Sequence, residues 1–353
     1  MPVKLKQVLG YYDYLYVTCL PILMIFAATQ KYDSWTLPIN IGLSLILISL
    51  WLIRGKKIEI PDNFILYFLF VAILGIHFLF FSGNLSYILL FASGGLVWLS
   101  IFNLRKIVSK YYFYFLIVIG LVIAGIFYIL MLNGISVTPA NNLFLPVGKN
   151  ILHNHLGDLW AVILVAVIYK MSEKFEVWQI PLFLLATVLI AQSFSRSAIA
   201  ALIFGILFIY QTSAKKGEYK KRFSIIFVAA VVLFIVLSAF KTTLFSRPYL
   251  FEAFNSLIKT PLGIGVGNFM NVSKYSSMAH SLILELIADL GVFSFIFLFW
   301  LYKIFRSLIK NEGNMLAKAV FLAIFVNFFF DTTYSIPAMI WLWFSTLALT
   351  KTY

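Results

Sequence analysis

Long apolar runs separated by short polar stretches make up most of the chain. About 12 of these runs approach the roughly 20 residues that a helix needs to cross the hydrocarbon core of a bilayer. The predicted spans are residues 12–29, 35–53, 63–81, 85–103, 111–133, 152–170, 177–193, 195–212, 223–240, 279–302, 316–331 and 336–350. The pair that meets near Ser193 and the last pair are short, and they are also compatible with re-entrant segments. The pattern predicts an all-α, polytopic integral membrane protein.

Composition agrees with this prediction. Of the 353 residues, 62% are hydrophobic and 11% are charged, whereas a soluble domain has about 25% charged residues. No soluble domain, coiled coil or repeat interrupts the runs, so we expect residues 1–353 to form a single transmembrane domain. The first run resembles a secretion signal but has the length of a span, so we expect it to be retained. The single cysteine, Cys19, cannot form an internal disulfide.

The positions of the charges predict the topology. If the amino terminus is cytoplasmic and each run crosses once, most of the 27 Lys and Arg residues fall on cytoplasmic segments. The outer side then holds Lys31, Lys149, Arg196, Lys241, Arg247, Lys259 and Lys274. Because cytoplasmic loops collect Lys and Arg, we expect both termini to be cytoplasmic. The same rule accounts for the net charge of +14 without a nucleic-acid partner, since no basic domain stands outside the spans.

Two outer arginines are candidates for binding an anion. Arg196 lies in SFSRSA at the start of a span, where Ser195 and its neighbours can cap the helix and the helix end attracts negative charge. Arg247 lies in FSRPYLF within the outer loop 241–278, ahead of a short interfacial helix predicted after Pro248. A guanidinium binds phosphate oxygens through two parallel hydrogen bonds. The alternatives are a snorkelling arginine at Arg196 and an ordinary solvated charge at Arg247.

The same outer loop contains glycines at every second position. Gly263, Gly265 and Gly267 form GxGxG, but no strand–helix unit surrounds them, so the pattern is weak evidence for nucleotide binding. Glycine permits positive φ and a close approach of the backbone to a ligand. We therefore treat these residues as candidates for substrate binding, with an ordinary tight loop as the alternative.

Histidines at the predicted outer ends of spans are candidates for chemistry. His280 opens the tenth span, where an imidazole can act as a general base near neutral pH. Asp289 is nine residues further on, points away from His280 on a helix, and is expected to brace a neighbouring helix. His153 and His155 open the sixth span with Asp158. They lack a clear third and fourth metal ligand, so sugar contact and a structural hydrogen-bond cluster remain alternatives.

Two further ionisable residues are expected to be buried structural groups. His77 lies inside the third apolar run, and Asp331 ends the eleventh. Across helices, Asp331 is a possible partner for Arg196 or Arg247.

Four of these features occur in a characteristic order. SRSA at a span start is followed by an SR-led segment, PLGIGVGNF and AHSLILELIADLG, over roughly Ser193–Leu301. This order resembles the O-antigen ligase and O-antigen polymerase family of bacterial surface-polysaccharide enzymes. Two departures are visible: the family's usual His-Asn pair reads His280-Ser281 here, and the outer loop is compact.

The resemblance implies a GT-C-like fold and an inverting, metal-independent glycosyltransferase that needs no cofactor. Its donor would be an undecaprenyl-pyrophosphate-linked oligosaccharide, and its acceptor a hydroxyl of lipid A-core or of another lipid-linked glycan. The enzyme would lie among the lipids of the bacterial cytoplasmic (inner) membrane, with its active site on the periplasmic or extracellular face. The family's essential residues map onto Arg196, Arg247 and His280.

Two other classes of protein remain alternatives. A transporter or flippase of lipid-linked oligosaccharides is expected to show repeat symmetry and polar residues at the bilayer midplane, and the sequence shows neither. A non-catalytic membrane scaffold would leave Arg196 and His280 without a purpose.

Overall fold

The computed structural model describes residues 3–28, 35–133, 154–213, 248–269, 273, 279–310 and 313–351. Within these residues the chain is helical, and its only β-contacts are isolated bridges. Six helical segments are long and apolar enough to cross a membrane, and four shorter apolar helices accompany them. The described part of the chain is therefore all-helical, and its long apolar helices are compatible with a membrane protein. The predicted ninth span, residues 223–240, lies outside the described residues.

Most of the described helices overlap the predicted spans. They are α1 Val3–Ala27, α2 Thr36–Ile53, α3 Phe64–Phe81, α4 Leu85–Leu132, α5 Asn154–Glu173, α6 Gln179–Ser193, α7 Arg196–Ser213, α8 Pro248–Lys259, α9 Leu282–Leu290, α10 Phe295–Lys310, α11 Met315–Phe330 and α12 Pro337–Leu349. Two short 3-10 helices, Gly291–Ser294 and Thr332–Ser335, join α9 to α10 and α11 to α12. Helix α8 is the short helix that the sequence predicts after Pro248.

Helix α4 contains two predicted spans, residues 85–103 and 111–133, without a loop between them. Its axis nevertheless bends sharply. Ile101 and Ile119 line the same small apolar cavity together with Leu342 of α12, whereas a straight helix would hold these two isoleucines about 27 Å apart. Both halves of α4 therefore lie beside α12, and the basic residues Arg105 and Lys106 fall near the bend.

The two ends of the helix bundle differ in their ion pairs. Most carboxylate–ammonium and carboxylate–guanidinium pairs among the described residues gather at one end, near the bend in α4. These pairs are Arg54–Asp13, Lys56–Asp13, Arg105–Glu59, Lys170–Glu173, Lys174–Glu176 and Lys351–Asp62. The opposite end, which we call the site end, contains the carboxyl ends of α3, α6 and α11 and the amino ends of α4, α5, α7 and α12. It holds the two pairs between histidines and Asp331.

The predicted tenth span is not one continuous helix. It breaks at Gly291, which has φ of 54°, and the backbone N–H of Val292 donates to the Pro261 carbonyl at 2.9 Å. At the amino end of α9, His280 contacts Asp331. At its carboxyl end, the backbone carbonyl of Asp289 accepts a hydrogen bond from the glycine-containing loop. The next residues of that loop form a β-bridge with the α3–α4 turn. Helix α9 therefore runs along the site end before α10 begins, and Leu282–Lys310 as a whole is one of the six segments long and apolar enough to cross a membrane.

The close contacts at Gly291 predict that a larger residue there destabilises the protein. A Cβ added at Gly291 would lie 2.0 Å from the Pro261 carbonyl oxygen, and positive φ adds roughly 1–2 kcal/mol for a non-glycine residue. Gly291→Ala should therefore destabilise the protein by at least about 2 kcal/mol, measured as a lower melting temperature in detergent.

Gly42→Ala is the matched control, because a Cβ there meets no atom within 4 Å and alanine favours helix more than glycine does. Equal melting temperatures for the two variants would contradict the tight contact at Gly291.

Candidate functional site

His280 occupies a constrained turn just before α9. Its backbone is left-handed, with φ of 52°, a conformation that non-glycine residues adopt mainly where the surroundings impose it. The buried Glu285 carboxylate accepts the backbone N–H of Ala279 at 2.9 Å and also the hydroxyl of Tyr334. These contacts hold the turn in place while leaving the His280 side chain 33% exposed.

Asp331, at the carboxyl end of α11, collects donors from several elements. Its Oδ1 accepts the Thr332 backbone N–H at 2.6 Å and lies 3.3 Å from His155 Nε2 and 3.5 Å from His280 Nδ1. Its Oδ2 accepts from Asn154 Nδ2 and lies 3.3 Å from the Ser197 hydroxyl oxygen. This carboxylate therefore joins the amino ends of α5 and α7 to the turn before α9.

The two histidines also set the ionisation of Asp331. Burial disfavours a charged carboxylate, but the N–H donors and the two imidazoles around Asp331 favour its ionised form. Asp331 is therefore a carboxylate at neutral pH, and it can stabilise a proton that arrives on either imidazole.

A second carboxylate lies beneath the start of α7. Asp158 Oδ1 accepts hydroxyl hydrogen bonds from Ser195 at 2.5 Å and Ser197 at 2.7 Å. The Ser195 oxygen in turn accepts the backbone N–H of Ala198 at 3.2 Å, so the predicted serine cap of this helix is confirmed. These bonds fix the first turn of α7 against α5.

Arg196 stands between the two serines at this capped helix end and is half-buried. Because Ser197 contacts Asp331 and Asp331 contacts His280, the structure brings the Arg196 segment and His280 to one place. Arg196 and Arg247 were possible partners of Asp331, and its described ion pairs are with imidazoles. Arg247 and His153 lie outside the described residues.

The three loop glycines have the backbone freedom that the sequence predicts. Gly263, Gly265 and Gly267 have φ of 94°, 98° and 72°. A Cβ at Gly263 would lie 2.2 Å from the Asp289 carbonyl oxygen. Asp289 Oδ2 accepts the Gly267 backbone N–H at 2.7 Å, so Asp289 braces this loop rather than the neighbouring helix that we expected. The close approach is to protein at the far end of α9 from His280, and contact of this loop with a pyrophosphate stays a prediction.

The remaining polar candidates have buried positions. His155, for which contact with sugar or acceptor and a structural hydrogen-bond cluster were the alternatives, is 2% exposed and faces Asp331. His77 is buried and its Nε2 bonds the Leu262 carbonyl at 2.8 Å, which fits its expected structural role. Within the part of the chain that the structure describes, no group of three or more His, Cys, Asp or Glu residues is arranged to hold a metal ion.

Sequence reasoning underestimated Asp331 and missed Asn154. Both are polar residues at the ends of apolar runs, and that position is the only signal the sequence offers. The sequence does not reveal that Asn154 and Asp331 meet, because 177 residues separate them.

Comparison with models of known protein families finds no match for this chain, and comparison with curated proteins finds none either.

Proposed function

We propose that this protein is a membrane glycosyltransferase that moves a glycan from a polyprenyl pyrophosphate, such as undecaprenyl pyrophosphate, to a hydroxyl acceptor. The observation that carries the proposal is the meeting of His280, Asp331 and the Arg196-bearing helix end at one end of the bundle. This arrangement provides a base, a carboxylate that supports it, and a cation for a leaving group. The motif order that resembles the O-antigen ligase and polymerase family favours the same reaction.

His280 and Asp331 have the geometry of a base and its supporting carboxylate. One ring nitrogen faces Asp331, and a third of the side chain is open to a substrate. The acceptor oxygen attacks the anomeric carbon of the donor sugar while the bond from that carbon to the pyrophosphate oxygen breaks. His280 takes the hydroxyl proton, and Asp331 stabilises the resulting imidazolium. The 3.5 Å separation is expected to shorten when the imidazole becomes charged.

The leaving pyrophosphate gains negative charge, which fixed guanidinium groups stabilise in a water-poor site. Arg196 fulfils this role at the start of α7, and Arg247 fulfils it from the outer loop. Phe194, Phe329 and Phe330 immediately precede the Ser195–Arg196 segment and Asp331, and each side chain is at least 40% exposed. They supply an apolar surface beside the site, where the first isoprene units of the carrier lie.

This site belongs on the outer face of the bacterial cytoplasmic membrane. Basic residues of the described chain concentrate at the opposite end of the bundle, as expected for a cytoplasmic side. The acceptor is lipid A-core in a ligase or another lipid-linked repeat in a polymerase. The chemistry of the site serves both.

One observation favours the alternative of a transporter or flippase of lipid-linked oligosaccharides. Discontinuous helices are typical of transporter binding sites, and the α9–α10 segment breaks at Gly291. The break, however, contacts the loop beside the α3–α4 turn at the site end rather than the middle of the bundle. This position fits a surface reaction better than passage through the membrane.

Purified protein in proteoliposomes distinguishes these functions. The donor is an undecaprenyl-pyrophosphate-linked oligosaccharide, offered with lipid A-core or with a second portion of the same donor. A transferase releases undecaprenyl pyrophosphate and gives a single adduct or a ladder of repeats. Movement of intact donor between leaflets without glycan transfer would support the transporter instead.

His280→Ala should lower kcat for glycan transfer by at least about 100-fold, because general-base catalysis contributes roughly 100- to 10,000-fold. Donor binding and the melting temperature should change little, since the side chain is partly exposed. Near-normal turnover by the folded variant would remove His280 from the reaction.

Arg196→Lys and Arg247→Lys should each lower kcat by at least roughly 10-fold, because lysine keeps the charge but loses the two-point contact with phosphate. Arg105→Lys is the matched control, since Arg105 pairs with Glu59 at the opposite end of the bundle. If either site variant turned over donor as fast as Arg105→Lys, that arginine would not bind the leaving group.

Chelation provides a separate test of the metal-independent mechanism. Transfer should proceed at an unchanged rate after dialysis against EDTA, because guanidinium groups rather than a metal ion stabilise the leaving group. Inhibition that Mg²⁺ or Zn²⁺ reverses would instead point to a metal site that includes His153 and His155.

A further inference from the structure

Two imidazoles share one carboxylate oxygen at the site end. His155 Nε2 lies 3.3 Å from Asp331 Oδ1, and His280 Nδ1 lies 3.5 Å from the same atom. Their environments differ, since the His155 side chain is 2% exposed and that of His280 is 33% exposed. Only His280 is accessible to a substrate, so the reaction that we propose leaves His155 without a role.

The contacts of His155 determine which ring nitrogen carries a proton. Nε2 faces the Asp331 carboxylate and also the Thr332 hydroxyl oxygen at 3.1 Å. A carboxylate oxygen only accepts hydrogen bonds, so Nε2 carries the proton and donates it toward Asp331. The ring is held in this orientation in the first turn of α5.

Asp331 does not need His155 to keep its place. The Thr332 backbone N–H holds Oδ1 at 2.6 Å, while Asn154 and Ser197 hold Oδ2. Loss of His155 therefore leaves the carboxylate facing His280 but removes one donor from the shared oxygen. The effect of His155 is on the charge of that oxygen rather than on its position.

We propose that His155 is a positioning residue that acts on His280 through Asp331, by drawing negative charge away from the shared oxygen and so keeping His280 unprotonated. This inference rests on the proposed function, because His280 must be unprotonated if it is to take the proton of the acceptor hydroxyl. The direction of the effect is the same whether His155 is neutral or charged, since either form competes with a proton on His280.

Other charged residues around this cluster are kept in the test. Asp158 approaches from α5 through Ser197, Arg196 begins α7, and Glu285 approaches from α9 through Tyr334. None of these residues is replaced together with His155, and His155→Gln, which also removes the imidazole, separates loss of the shared contact from a change in the charge of Asp158.

The experiment measures the reactivity of His280 with diethyl pyrocarbonate, which modifies unprotonated imidazole. Modification of the His280 peptide is followed by mass spectrometry across pH in full-length protein. In His155→Leu the pH at which half of the reactivity is lost should rise by at least about half a unit, equivalent to roughly 0.7 kcal/mol. His155→Gln retains an N–H donor and should return this midpoint close to that of the unaltered protein.

His77→Leu is the matched control. It also removes a buried histidine and its hydrogen bond, but that bond goes to the Leu262 carbonyl rather than to Asp331. Its His280 midpoint should be unchanged even if the melting temperature falls. An unchanged midpoint in His155→Leu, or an equal shift in His155→Gln and His155→Leu, would overturn the inference.

Transfer kinetics separate this inference from the proposed function. His155→Leu should lower kcat on the order of 10-fold at neutral pH, with a smaller change in KM for the acceptor and with partial recovery as pH rises. Absence of transfer by the unaltered protein would refute the function. The modification midpoints would still test whether His155 acts on His280.

Discussion

A carboxylate that is buried at the end of a membrane bundle must find its hydrogen-bond donors within the protein, and at Asp331 this requirement organises the surrounding helices. The donors come from α5, from α7, from the turn before α9 and from the adjacent backbone. An unsatisfied polar group in such surroundings costs several kcal/mol. The ends of these elements are therefore tied to one another by the same contacts that give His280 its supporting carboxylate.

The short helix α9 depends on comparable contacts at both ends. An isolated helix of nine residues is too short to be stable in water, and its sequence ends in a glycine with positive φ. Glu285 joins its amino end to Tyr334, and Asp289 joins its carboxyl end to Gly267. The position of His280 is consequently determined by groups on both sides of the break, which explains why a span with two acidic residues is interrupted here.

The sequence predicted the helical class and most helix positions, because each apolar run is a local property. It also predicted the serine cap at Ser195, whose donor and acceptor lie within one turn of helix. It did not predict the bend in α4 or the break at Gly291, since hydropathy reports burial and not the direction of a helix axis. The partners of Asp331 were missed for another reason: they depend on contacts between residues far apart in the chain.

The chemistry of a lipid-linked sugar explains why such a site lies at the end of a bundle. The carrier tail requires apolar surface, its pyrophosphate requires cations, and the acceptor hydroxyl requires access from water. At the site end, exposed phenylalanines, Arg196 and the partly exposed His280 occur within a few residues of Ser195 and Asp331. A buried carboxylate beneath an accessible imidazole gives the base a partner that water does not screen. The boundary between lipid and water is where these three requirements are met together.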